Sequence, residues 1–242
     1  MMTLSLPLNE VHLWQVSLLH PPFPLPQLMP LLSPDEQARA ARYAFESDRQ
    51  GFQISRGCLR LLLAHYLATS PQRLQFSYTP NGKPSLTDFS LSFNLSHSHQ
   101  LALYSITPRY PIGVDLEHLR PIANVLQLAQ RFFTPREAAQ IATLNSSGQE
   151  IAFFQAWTRK EAYLKATGEG IKGLKQVEVS CLPDAPVEIL RLAHSSGISA
   201  EWSLYHLTPA PDYIGALAVG SRDVVVRYWQ DWETLRSHFF RR

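Results

Sequence analysis

Ser33-Pro34-Asp35-Glu36 and Thr134-Pro135-Arg136-Glu137 open two stretches of chain about a hundred residues apart. Each has a hydroxyl at the N-cap, proline at the first helical position and glutamate at the third, the capping-box arrangement that satisfies free backbone donors at a helix start. A second helix follows in each half, near Asp48 and near Gln149, and these helices carry Phe52-Gln53 and Phe154-Gln155. Strand-like runs come next, at 74–78, 91–95 and 100–106 in the first half and at 176–180, 200–207 and 213–219 in the second. The repeated order and spacing predict an α+β fold of two similar lobes with a site between them. The lobes are expected at 1–110 and 111–242, the second opening on the strand Pro111-Ile112-Gly113-Val114-Asp115-Leu116-Glu117.

The rest of the chain narrows the class. Of 242 residues, 45% are hydrophobic, 17% charged and 11% aromatic, which excludes a disordered chain, a coiled coil and a collagen-like fibre. A net charge of +2 gives no overall pull toward nucleic acid or anionic lipid. Residues 11–34 carry no Lys, Arg, Asp or Glu, but prolines at 21, 22, 24, 26, 30 and 34 argue against a membrane span and predict an extended surface loop. The first charged side chain is Glu10, so the positive flank of a signal peptide is missing and a cytosolic protein is expected. Cys58 and Cys181 suggest neither a disulfide framework nor a thiolate zinc site.

Chemistry-bearing residues gather in a few places. In the strand at 112–117, Ile112, Val114 and Leu116 alternate with Gly113, Asp115 and Glu117, so two carboxylates share a face. Such hard oxygen ligands suit magnesium, although a solvated strand face reads the same way. Trp157, Glu161 and Lys165 lie four apart on one helix face and set an acid and a base beside an aromatic platform. An ordinary ion pair would look alike. In Asn94-Leu95-Ser96-His97-Ser98-His99, a zinc site on His97 and His99 lacks a third ligand of useful spacing, and Ser96-His97 lacks the turn of a nucleophile pair. His97 fits a phosphate donor better, against the alternative of a histidine bonded within the fold. Thr79-Pro80-Asn81-Gly82-Lys83-Pro84 reads as a tight turn that holds Lys83 at a strand edge, where it can meet an anion. Arg42, Arg49, Arg56 and Arg60 recur along the first long helix and either reach one ligand or form a solvated face.

Taken together these motifs resemble the 4'-phosphopantetheinyl transferases of the Sfp type. The resemblance is carried by Leu32-Ser33-Pro34-Asp35-Glu36, Gly82-Lys83-Pro84, Phe93-Asn94-Leu95-Ser96-His97-Ser98, Ile112-Gly113-Val114-Asp115-Leu116-Glu117, Arg131-Phe132-Phe133-Thr134-Pro135-Arg136-Glu137, the run Trp157–Lys165 and Gly168-Glu169-Gly170. It implies a pseudo-twofold pair of α+β lobes with the site in the cleft. It also implies transfer of the 4'-phosphopantetheine arm of coenzyme A to a serine of an acyl or peptidyl carrier protein, with release of adenosine 3',5'-bisphosphate. By resemblance Asp115, Glu117 and Glu161 are the magnesium carboxylates, Glu161 doubles as the base, and Lys165 neutralises phosphate charge. Lys83, Ser96, His97 and Lys160 fall to coenzyme A binding. Where some relatives place lysines and an Arg-Thr pair near the adenosine end, this chain has Gln37, Ala40, Gly51 and Phe52, so Arg49 or Arg56 is expected to take over the 3'-phosphate. The same acids would also serve a magnesium-dependent phosphohydrolase or nucleotidyl enzyme, and a non-catalytic coenzyme A or carrier-binding module is the third reading. Fatty acid, polyketide and nonribosomal peptide synthesis are all open as the client pathway. A monomer is expected, because the duplication supplies both walls of a cleft.

Overall fold

Both capping boxes form in the computed structural model, which describes residues 5–193 and 201–240. The first half runs β1 (Glu10–Ser17), α1 (Leu25–Leu28), α2 (Pro34–Ala40), α3 (Glu46–Tyr66), β2 (Phe76–Tyr78), β3 (Pro84–Leu86), β4 (Ser92–Ser98) and β5 (Leu101–Thr107). The second runs β6 (Ile112–His118), α4 (Val125–Phe132), α5 (Pro135–Ala142), α6 (Ser146–Thr167), β7 (Val177–Val179), β8 (Ile189–Leu192), β9 (Ser203–Leu207) and β10 (Tyr213–Val219). A tail of β11 (Val225–Trp229) and α7 (Glu233–Phe239) completes the chain described.

The repeat extends further than the sequence motifs. The first sheet is ordered β11-β1-β5-β4 and the second β6-β10-β9, so β1-β5-β4 and β6-β10-β9 match strand for strand. Each half also has a two-stranded hairpin, β2-β3 and β7-β8, after its long helix. The α+β class is met, and the repeated order is consistent with two similar lobes.

Two expectations change. Residues 11–34 are not a surface loop throughout: β1 lies between β5 and β11, and Val11, Leu13, Trp14 and Val16 are buried. Trp14 and Val16 join the core under α3, whereas Val11 and Leu13 join an apolar layer shared with β5, β6, β9 and β10. The run lacks charge because both faces of its strand are covered. The boundary at 110/111 does fall between β5 and β6, but residues 225–239 do not stay with the second half. β11 pairs in parallel with β1, and Trp232 and Leu235 enter the first core.

The glutamates of the two capping boxes turn inward and are buried. Glu36 Oε2 accepts from Ser33 N at 3.0 Å and from Arg60 Nε at 2.6 Å, and Arg60 Nη1 donates to Pro71 O and Leu74 O at 2.8 and 3.1 Å. In the second half Glu137 Oε2 accepts from Thr134 N at 2.8 Å and pairs with Lys160 Nζ at 2.7 Å, while Lys160 Nζ donates to Leu174 O at 2.8 Å and to Val177 O. One carboxylate in each half therefore ties the short helix, the long helix and the chain entering the hairpin.

Helix α6 crosses β6 in close contact. A Cβ placed on Gly113 would lie 2.1 Å from Ala162 O and 2.4 Å from Ala166 N, so only glycine permits this approach. Among the described residues no helix is long and apolar enough to cross a membrane. Gly113→Ala must push backbone from backbone, and overpacking typically costs ~1–3 kcal/mol or more. We predict a loss at the upper end of that range in urea unfolding, with native-like stability as the outcome against it.

Candidate active site

The edge strands β4 and β6 meet through side chains rather than a backbone ladder. Asn94 Oδ1 accepts from Val114 N at 2.9 Å, Ser96 Oγ donates to Asp115 Oδ1 at 3.0 Å, and Ser98 Oγ donates to Glu117 Oε2 at 3.3 Å while accepting from His118 N at 3.0 Å. Polar residues of the first half thus orient the two carboxylates of the second. Ile112, Val114 and Leu116 point into the apolar layer, as the alternation predicts. Lys165 of α6 completes the cluster: its Nζ lies 2.6 Å from Asp115 Oδ1 and 3.0 Å from Ser96 Oγ.

A cavity of about 600 Å³ opens beside this cluster, with walls from both halves. Ser96, His97, Glu161 and Lys165 line it together, and Arg56 and Phe52 of α3 line it as well. Arg56 is 4% exposed, pairs with Glu36 through Nε at 3.2 Å and donates to Tyr78 OH through Nη2 at 3.0 Å, yet its buried Nη1 has no hydrogen-bond partner. An unspent guanidinium donor on a cavity wall suits an anionic ligand. His97 lines the cavity and is exposed. Desolvation and then the Lys165 charge lower its pKa, so at neutral pH the imidazole is neutral and offers one N–H donor.

The acids are held under electrostatic stress. Burial is the first cause of a raised pKa at both Glu117 and Glu161, and the charge of Asp115 is the second. Asp115 Oδ2 and Glu161 Oε1 are buried without hydrogen-bond partners. Among the described residues no group of three His, Cys, Asp or Glu side chains is arranged to hold a metal ion, and Lys165 sits against Asp115. Two unpartnered carboxylate oxygens in a mutually repelling group of acids nevertheless have the donor chemistry of a magnesium site that is finished by water and substrate phosphate.

Several expected contacts move elsewhere. Lys160 is fully buried on the far side of α6 in its pair with Glu137 and does not line the cavity, so it is a structural cation rather than a coenzyme A ligand. It is the counterpart of Arg60, which its own pair with Glu36 likewise removes from the site. Arg49 pairs with Glu46 on the exposed face of α3 and does not reach the cavity, and neither does Arg42. Trp157 packs on Phe132 and Phe153 in the second core, so it is no platform for a ligand. Lys83 lines the cavity, but its Nζ is spent on Ala166 O at 2.6 Å and Ile112 O at 3.4 Å, and burial lowers its pKa to about 8. Sequence reasoning missed Arg39, which lines the cavity with its guanidinium 5.3 Å from the Phe52 ring centroid. No periodicity marks it, because α2 is only seven residues long.

Comparison with known proteins gives the family. Residues 111–218 match the model of the 4'-phosphopantetheinyl transferase superfamily, and residues 24–108 match the 4'-phosphopantetheinyl transferase N-terminal model. The 4'-phosphopantetheinyl transferase HetI of Nostoc sp. is 40% identical over 230 residues, covering 93% of this chain and 94% of its own. This chain belongs to the 4'-phosphopantetheinyl transferase superfamily. The transferase psf-1 of Bacillus pumilus is 33% identical over 60% of this chain and 61% of its own length, and Sfp of Bacillus subtilis is 26% identical over 60% and 64%. As a phosphopantetheinyl transferase, the protein is an enzyme of the class its motifs resemble.

Two stability measurements check these assignments. Lys160→Met leaves Glu137 charged and buried, which costs ~3–5 kcal/mol; urea unfolding should show that loss, and a variant of native stability that binds coenzyme A poorly would return Lys160 to the site. Glu161 has a raised folded pKa, so on acidification the folded chain takes up a proton before the unfolded chain does. Its carboxylate therefore costs stability at neutral pH, and the cost is relieved as pH falls toward the ordinary 4.5. Glu161→Gln should melt higher than the native protein at pH 7–8, with the gain shrinking toward pH 4.5. A lower Tm across that range would contradict it.

Proposed function

We propose that this phosphopantetheinyl transferase moves the 4'-phosphopantetheine arm of coenzyme A onto a serine of an acyl or peptidyl carrier protein, as a cytoplasmic monomer that requires magnesium. The observation that carries the reading is one cavity whose lining joins Glu161 and Lys165 of α6 to Ser96 and His97 of β4 and to Arg56 of α3, whose buried Nη1 has no hydrogen-bond partner. An acid, a cation and several phosphate donors face the same space from two halves of the chain.

In this reading Arg56 and His97 hold the phosphates of coenzyme A, and Ser96 keeps Asp115 and Lys165 in register. The carrier serine oxygen attacks the phosphorus that bears pantetheine, the bond to the bridging oxygen breaks, and adenosine 3',5'-bisphosphate leaves. Glu161 lines the cavity beside Lys165 and accepts the serine proton, directly or through a water. Lys165 provides fixed positive charge where negative charge grows on the bridging oxygen. Asp115, Glu117 and Glu161 would hold magnesium, which supplies charge neutralisation at the pyrophosphate.

Intact mass spectrometry of an apo carrier incubated with the protein, coenzyme A and magnesium tests the proposal. The carrier should gain one phosphopantetheine. An unchanged carrier with hydrolysed coenzyme A would point to a phosphohydrolase, and no reaction to a binding module. Lys165→Ala should lower kcat by about 10² to 10³, since one charged contact in a water-poor cleft is worth ~3–4 kcal/mol. Near-normal kcat with weaker coenzyme A binding would make Lys165 a ground-state anchor only.

A further inference from the structure

The turn between β2 and β3 is built in the first half but spends its side chains on the second. Gly82 has φ +82° and lets the chain reverse, while Thr79 Oγ1 accepts from Lys83 N at 3.1 Å and fixes the tip. From this tip Asn81 Nδ2 donates to Gly168 O at 2.8 Å and to Glu169 O at 3.0 Å. Lys83 Nζ donates to Ala166 O and to Ile112 O at the distances given above. The carbonyls at the end of a helix lack internal partners and carry its partial negative charge, so an ammonium and an amide N–H there are well matched. Gly168, at φ +82°, turns the chain out of α6 in the left-handed conformation that presents these carbonyls. A Cβ on Gly170 would lie 3.1 Å from Asn81 Cγ, so the Gly168-Glu169-Gly170 segment is shaped around the asparagine.

The anchored positions matter for the site. Ala166 directly follows Lys165, and Ile112 opens the strand that carries Asp115 and Glu117. Asn81, Lys83, Gly168, Glu169 and Gly170 all line the cavity. The contacts therefore span one wall of it and tie the first-half hairpin to both elements that carry the acids and the catalytic lysine. We propose that Asn81 and Lys83 are positioning residues, a clasp that fixes the cavity wall for the ligand, and that Lys83 serves in this way instead of as a phosphate ligand. The inference rests on the coenzyme A reading for its ligand but not for its geometry.

The variants Asn81→Asp and Lys83→Met keep size and remove the donor. Hydrogen exchange of amides 166–172 in the chain without ligand reads the clasp directly, and steady-state transfer together with calorimetric coenzyme A binding reads its consequence. Exchange in that segment should accelerate, and Kd and KM for coenzyme A should rise roughly tenfold, the equivalent of one or two lost hydrogen bonds. The change in kcat should stay within about twofold, because the reacting groups are untouched, and Lys83→Arg should recover most of the affinity. Unchanged exchange would overturn the clasp, whether or not affinity falls, and so would a fall in kcat at constant KM. Should the native protein transfer nothing to any carrier, the transferase reading fails while the exchange result still decides the clasp.

Discussion

The close contact between α6 and β6 at Gly113 governs the arrangement of the site. With no side chain between them, the helix backbone lies on the strand, and the Asp115 and Glu117 face is brought against the turn that bears Glu161 and Lys165. Four charged groups then share a poorly solvated volume. Burial first, and the charge of Asp115 second, raise the carboxyl pKa values of Glu117 and Glu161. Stability is given up locally to hold these acids together, as is common where perturbed carboxyl groups gather in a cleft.

What tolerates this strain is the framework repeated behind it. Each half buries its capping glutamate against a cation of its long helix, and each cation donates onward to backbone carbonyls near the hairpin. The same task is done by Arg60 in one half and Lys160 in the other. Buried pairs of this kind add little net stability over an apolar filling, but they fix geometry because either charge alone is costly. Around them the two sheets share one apolar layer, formed by β1 and β5 on one side and β6, β9 and β10 on the other. The tail strand β11 adds to the first sheet beside β1, and α7 covers part of the first core, so the end of the second half is anchored on the first.

The edges of the two sheets are where the halves cooperate. Edge strands expose unpaired backbone groups, and β6 satisfies Val114 N and His118 N with side chains from β4. Ser98 also donates to Glu117, and Ser96, between Asn94 and Ser98 on the same strand, donates to Asp115. One strand of the first half therefore both covers the edge of β6 and orients its carboxylates.

The sequence by itself determined the elements whose signals are local. The capping boxes announced α2 and α5, the alternation of Ile112, Val114 and Leu116 announced β6 and its acidic face, and the spacing of Glu161 and Lys165 placed them on one side of α6. Its motifs also carried the resemblance that the comparisons then bore out as family membership. Only the tertiary structure decided which cations face the cavity. Arg56 and Arg60 lie one turn apart on α3 and share Glu36, yet only Arg56 lines the cavity; Lys160 and Lys165 lie close together on α6, yet Lys165 lines the cavity while Lys160 is buried against Glu137. Local sequence records the charge and the helix face, but the partner of a cation is set by which carboxylate or carbonyl the packed chain brings within hydrogen-bonding distance. The same reason hid β1, whose uncharged run looked like a loop until its neighbours on both sides were known.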